Sequence, residues 1–221
     1  KTLYVQRMDG FGQMTETRSA SITINPPRKA VVSIGWAYDD VAPGCVFDSG
    51  LGINRMNYSA TARTFVWDSG EDAGTVVKGD SVNFNEDIRV GGATTGDDSG
   101  MYPDSVLEKY VRYNGFPQNT YGHRTASIHL SPGTYRLRLF CSLNSTYKNS
   151  TEFMKVQTVV DGVANVFELP DGYDVIGNLT RWLEQEITVP ESGMFELQWG
   201  MENATKGWME VPLNIIEIEE T

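Results

Sequence analysis

Cysteine is scarce: the 221 residues contain two, Cys45 and Cys141, and no C-x-x-C pair. A zinc ribbon and a thioredoxin-type redox motif are therefore absent. Spacing leaves open whether the two cysteines pair, and the preferred reading is two small buried apolar residues. Histidine is equally sparse, with only His123 and His129. No G-x-S-x-G elbow accompanies them, which removes the usual support for a Ser-His-Asp triad. No apolar run approaches the roughly 18 residues that a membrane-crossing helix needs, so no membrane insertion is expected. Basic residues are the minority: 18 Lys plus Arg stand against 29 Asp plus Glu, a formal net charge of −11. Without a Lys/Arg cluster, that balance speaks against nucleic acid and anionic lipid as partners. It fits a neutral ligand, a cation or a basic protein patch. The 22 glycines are aperiodic and aromatics make up 11%, which excludes collagen-like and disordered chains.

Period-2 alternation is abundant. Residues 134–143 place Tyr135, Leu137, Leu139, Cys141 and Leu143 on one face and Arg136, Arg138 and Ser142 on the other. Residues 194–201 repeat the pattern, with Phe195, Leu197, Trp199 and Met201 opposing Glu196 and Gln198. Residues 124–130, 181–189 and 214–220 also read as strands. Residues 153–160 and 163–169 flank Asp161-Gly162, a two-residue hairpin signal. Helical periodicity is confined to one or two turns within residues 103–111. Between Gly44 and Gly100 the chain is rich in Gly, Asp, Asn and Ser, and long loops are expected there, interrupted by apolar runs at 63–67 and 82–90. The fold class is all-β, an antiparallel β-sandwich of jelly-roll type.

Residues 1–27 differ in character. Leu3–Asp9 and Ser19–Asn25 are strand-like runs followed by Pro26-Pro27, and two strands do not make a stable domain. The words LYVQRMDGFG and SASITINPP resemble the closing hairpin of a fibronectin type III or immunoglobulin-like module. That resemblance implies the tail of a preceding module; the other reading is a hairpin packed on the main sandwich of residues 28–221. The chain opens Lys1-Thr2-Leu3 without methionine, signal peptide or targeting tail, which reads as a piece of a longer protein.

From residue 28 onward the order of elements is familiar. AVVSIGW (30–36) leads to GLGINRMNY (50–58), then YPDSVLEKYVRYNG (102–115), SPGTYRLRLFCS (131–142) and VVDG (159–162). This resembles the galactose-binding-domain-like jelly roll, in particular malectin-like accessory modules of secreted bacterial glycan-processing proteins. The resemblance implies a carbohydrate-binding or spacer role, secreted or at the cell surface, within a multidomain protein. Five Asn-x-Ser/Thr sequons begin at Asn57, Asn144, Asn149, Asn178 and Asn203. About two would arise by chance, and they matter only in a cell that glycosylates.

Catalytic constellations are thin. Gly79-Asp80-Ser81 lies in an all-β context, whereas the esterase block it superficially matches follows a parallel strand and opens a helix. Asp39-Asp40, Asp97-Asp98, Asp104, Asp171 and Asp174 are abundant carboxylates, but solvated turn-capping acids are commoner than a glycosidase pair. A non-catalytic protein is expected, with a glycan hydrolase using two loop carboxylates as the weaker alternative.

Binding chemistry is richer. Sugars are held by stacking a C–H face on an aromatic ring while amides, carboxylates and guanidinium groups bond the hydroxyls. Residues 110–124 offer Arg112, Tyr113, Phe116, Asn119, Tyr121 and Arg124 in one stretch. Trp36 and Tyr38 follow the opening strand, and Trp182 points outward beside Glu184 and Glu186 on its strand. These nine residues form the candidate ligand-binding rim. Trp199, on an apolar face, is assigned to the core. No cofactor is required; a structural Ca²⁺ held by Asp97 and Asp98 is the one metal candidate. The reading is a non-catalytic carbohydrate-binding module, monomeric within its parent. A structural or protein-interaction spacer is the rival, and it predicts that Tyr113, Phe116, Tyr121 and Trp182 are packed under loops.

Overall fold

The computed structural model describes residues 2–8, 14–21, 26–37, 40–41, 44–79, 88–115, 121–144, 151–204 and 209–221. Its strands begin with β1 (Thr2–Met8), β2 (Met14–Ser21), β3 (Lys29–Ser33), β4 (Cys45–Asp48) and β5 (Ile53–Met56). Next come β6 (Arg63–Val66), β7 (Asp72–Lys78), β8 (Ile88–Val90), the single turn α1 (Asp104–Leu107) and β9 (Lys109–Gly115). The chain continues through β10 (Tyr121–Leu130), β11 (Gly133–Phe140), β12 (Met154–Val160) and β13 (Val163–Val166). It closes with β14 (Leu183–Val189), β15 (Met194–Glu202), β16 (Met209–Leu213) and β17 (Ile215–Glu220).

Two six-stranded sheets face each other. Sheet I runs β13-β12-β15-β10-β7-β6 and sheet II runs β14-β11-β17-β3-β5-β4. From β10 onward the chain crosses repeatedly between them: β10, β12, β13 and β15 lie in sheet I, β11, β14 and β17 in sheet II. This is a β-sandwich with the sheet-crossing path of a jelly roll. A small third sheet, β16-β9-β8, extends it, and β1 and β2 pair with each other. Among the described residues the ladders are antiparallel except one: β3 and β5 are parallel, with Val32 opposite Asn54.

Alternation in sequence becomes the two sides of each sheet. Ala126, Ile128, Val156, Phe195, Leu197 and Trp199 from sheet I meet Val32, Leu137, Leu139, Ile216 and Ile218 from sheet II, and Cys141 just after β11, in one buried cluster. Trp199 is fully buried, and the Tyr58 ring meets it edge-on at 5.7 Å. Trp67 and Tyr135 lie parallel at 6.4 Å. Burying each such side chain contributes about 1.5–3 kcal/mol, which sets the strand register firmly. The Asp161-Gly162 hairpin forms as its sequence demands, with φ of 48° and 79° at the two turn residues.

Residues 44–100 depart from the expected long loops. Five strands, β4 to β8, run through this stretch; β4 to β7 complete the two large sheets and β8 joins the third. Their pattern is masked by a polar residue at an inward position. Asn54, 1% exposed, donates from Nδ2 to the Val31 and Val66 carbonyls at 3.1 and 2.9 Å and accepts the Val66 N–H at 2.9 Å. It thereby ties sheet II to β6 of sheet I, and these bonds pair the amide as a buried polar group requires. The helical expectation over 103–111 shrinks to one turn, since the chain enters β9 at Lys109.

The outer face of sheet II is itself half covered. Val106 and Leu107 of α1 pack with Val31, Ile53, Phe140, Ile215, Val41 and Trp36 in a second apolar cluster. The outer face of sheet I has no such second cluster among the described residues.

Candidate functional site

The proposed rim is divided among three places. Trp36 lies in the second cluster, 7% exposed, with its indole N–H donating to Ser33 Oγ at 2.9 Å. Arg55 and Lys109 stand over its ring at 5.2 and 5.5 Å. Trp182 joins the same face. Phe140 lies 5.4 Å from its ring and Tyr102 6.3 Å, and the Arg138 guanidinium sits 4.6 Å above it. Both tryptophans thus serve the packing of sheet II.

Arg112, Tyr113 and Arg124 belong to the junction of the third sheet with the sandwich. Arg112 pairs with the buried Glu210 across the β9–β16 ladder, and the Tyr110 hydroxyl donates to Glu210 at 3.1 Å. Tyr113 faces the other way and packs against the main core, where burial pushes its phenol pKa up. Arg124 points inward from β10, 6% exposed, and its Nε donates to the Arg112 carbonyl at 3.4 Å. Tyr38, Phe116 and Asn119 lie outside the described residues.

The acidic loop closes on itself. Asp97 accepts the Ser99 N–H at 3.1 Å and Asp98 the Asp104 N–H at 2.7 Å. Asp104 in turn holds the Thr95 and Gly96 N–H groups at 2.8 and 2.7 Å. Among the described residues no group of three or more His, Cys, Asp or Glu side chains gathers in a way that could hold a metal.

On sheet II, Glu217 is the focal charge. Its side chain is 3% exposed and takes Lys29 Nζ at 2.8 Å and Arg138 Nη1 at 2.7 Å. Tyr102 Oη lies 3.3 Å away. Burial favours the neutral acid, but the hydrogen bonds and charges of Lys29 and then Arg138 outweigh it and hold the carboxyl below its ordinary 4.5. Burial first, then the Glu217 charge, drives the Tyr102 phenol pKa upward. The cluster is a packed ion network with no open acid–base pair.

Tyr121 stands apart from the other rim residues, on the outer face of sheet I. Its hydroxyl donates to the Lys155 carbonyl at 3.2 Å, so the ring crosses β15, which lies between β10 and β12. On the neighbouring β15, a Cβ at Gly200 would lie 2.0 Å from the Gly122 carbonyl, so the two strands approach closely there. The His123 ring stacks on Tyr121 at 4.5 Å and 19°, and Lys155 Nζ lies 4.9 Å from the Tyr121 centroid while pairing with Glu202 at 2.7 Å.

From Tyr121 the face continues as rows of polar side chains that include one carboxylate, Glu196. Gln157, Gln198 and Thr125 lie side by side across β12, β15 and β10, and Ser127 lies opposite Glu196 and Val77. Gln157 Nε2 donates to Gln198 Oε1 at 2.7 Å, and Gln198 Nε2 to Glu196 Oε2 at 3.0 Å. Farther along, His129 lies opposite Thr75, and Thr75 opposite Thr64. These three, with Gly74 and Ser131, line an open depression of about 430 Å³. The expected loop rim includes Tyr121 but none of the other residues of this row. The available signal was the polar half of residues 124–130, which uses Ser, Thr and His, together with Gln198, where a plain solvent face usually carries Lys and Glu.

No protein-family model and no curated protein matches the chain. Among the described residues no helix is long and apolar enough to cross a membrane.

Proposed function

We propose that the sandwich is a non-catalytic carbohydrate-binding module that takes a neutral oligosaccharide along the outer face of sheet I. The observation that carries this reading is the row of hydrogen-bonding side chains from Tyr121 through Gln198 and Ser127 to His129, flanked by the buried Gln157 and Thr125. With those two buried, Gln198, Ser127 and His129 carry the accessible groups of the row, and the bonds from Gln157 and to Glu196 fix the Gln198 amide for sugar hydroxyls. Tyr121 and His123 supply a wall of parallel rings at one end, and the depression beside His129 receives the other. From residue 121 to 129 is about 27 Å at about 3.4 Å per residue, a length suited to several linked sugars. The net charge of −11, with Glu196 and Glu202 on the same face, disfavours anionic glycans. Affinity is weak per site and gains from tethering to a parent protein, secreted or at the cell surface. The resemblance to galactose-binding-like modules points the same way.

The test is a glycan array followed by NMR titration of the purified chain with neutral oligosaccharides. Binding that weakens about tenfold in Gln198→Ala and in Tyr121→Ala, with unchanged melting temperature, supports the reading. A blank on a broad array overturns it. The rival is a structural or protein-interaction spacer, and one observation favours it: Trp36, Trp182 and Tyr113 are committed to internal packing.

A further inference from the structure

The four outer strands of the two sheets are not equally guarded. β14 carries Glu184 and Glu186, both exposed. β6 shifts register against β7 between Phe65 and Val66, an irregularity that spoils continuous pairing. β4 is half-buried along its length and ends at Asp48. Charge, bulges and cover are the usual protections of a sheet edge. β13 has none of them. Its four residues, Val-Ala-Asn-Val, are uncharged, pair with β12 in unbroken register, and are all exposed. Val163 and Val166 are 62% and 50% exposed. Leu169 continues the apolar surface and shares with Val166 a depression of about 390 Å³.

The backbone phase of this strand is determined. A two-residue turn makes Val160 and Val163 a hydrogen-bonded pair, so pairing alternates along the ladder. The Phe167 N–H reaches the Val156 carbonyl at 2.9 Å, in the same phase. The N–H and C=O groups of Ala164 and Val166 therefore point away from β12, toward solvent. Two outward residues separated by one make a self-complementary edge. Under a twofold axis at Asn165, Ala164 of one copy meets Val166 of the other, and both outward pairs of donors and acceptors are satisfied.

We infer that β13 is a homodimerisation edge, through which a second copy of this chain joins antiparallel to give a continuous sheet across both sandwiches. A four-residue strand buries little area, so the association is weak, with Kd on the order of 0.1–1 mM. The net charge of −11 opposes approach of two copies, and added salt strengthens the dimer by screening it.

Sedimentation of the full chain from about 10 μM to about 1 mM, at low and high NaCl, reads the association across that Kd range. Two variants locate it. Ala164→Pro removes an outward N–H that β12 does not use, a substitution edge strands tolerate. Val166→Lys places a charge on the edge. Expected are a concentration-dependent dimer in the wild type, Ala164 and Val166 amides that gain hydrogen-exchange protection on concentration, and association about tenfold weaker in each variant that keeps the wild-type circular dichroism. A wild type that stays monomeric at about 1 mM in high salt, or a dimer that leaves those amides unprotected, overturns the proposal.

Discussion

Glu217 and Arg138 face each other across the β17–β11 ladder, with Oε1 and Nη1 2.7 Å apart and the carboxylate 3% exposed. Because the folded protein holds this carboxyl below its ordinary 4.5, the unfolded chain binds the proton more readily. The stabilisation is fully present above about 4.5 and is lost as pH falls through the lower folded value. Glu220, held down first by its hydrogen bond to Arg28, adds in the same direction. Chemical denaturation followed from pH 7 downward is expected to show this loss. Glu217→Ala is expected to cost about 3 kcal/mol at neutral pH, because Arg138 and Lys29 lose their common partner, and to flatten the acid limb of the profile.

Asn178 joins loops that strands alone do not hold. Its Nδ2 donates to the Cys141 and Arg181 carbonyls at 2.9 and 2.8 Å, and its Oδ1 accepts the Arg181 N–H at 2.8 Å. Ser142 Oγ donates to its backbone carbonyl at 2.7 Å. Asn178→Ala leaves buried backbone groups unpaired and is expected to lower stability by about 2–3 kcal/mol in urea unfolding. An unchanged denaturation midpoint would contradict this account of the amide.

The cysteines are expected to be inert thiols in the native state. Both are free, and burial pushes Cys45 up to about 11 and Cys141 up to about 12. Little thiolate then exists at pH 8, so iodoacetamide is expected to label neither residue appreciably in folded protein and both in denaturant. Mass spectrometry after timed alkylation reads this directly; rapid native labelling of Cys141 would show that its strand opens.

The strands most legible in the sequence were those whose inward residues are all apolar. β11 and β15 alternate without exception through the core, and Trp199 lies where its neighbours place it. β5 was hidden because its inward Asn54 looks like a loop residue until its three backbone partners are known. The described residues of the candidate rim are separated for a related reason. Arg112, Tyr113 and Arg124 are adjacent in sequence to a mixed polar–aromatic stretch, yet strand alternation sends Arg112 and Tyr113 to opposite faces of β9. Trp182 points outward, as its strand position implies, but nothing local announces that Met101 and Tyr102 fold over it from about eighty residues away. The sequon at Asn178 is likewise spoken for, since both its amide hydrogens are used inside the fold.

The Glu220 N–H donates to the Arg28 carbonyl at 3.0 Å, and the Arg28 guanidinium grips the Glu220 carboxylate. The first residues of β3 and the last of β17 are therefore neighbours in one antiparallel ladder. Tension applied through those two points pulls perpendicular to the strands and loads one rung at a time, beginning with that ion pair. Whatever heat or denaturant the sandwich withstands, stretching in this direction unzips it at low force.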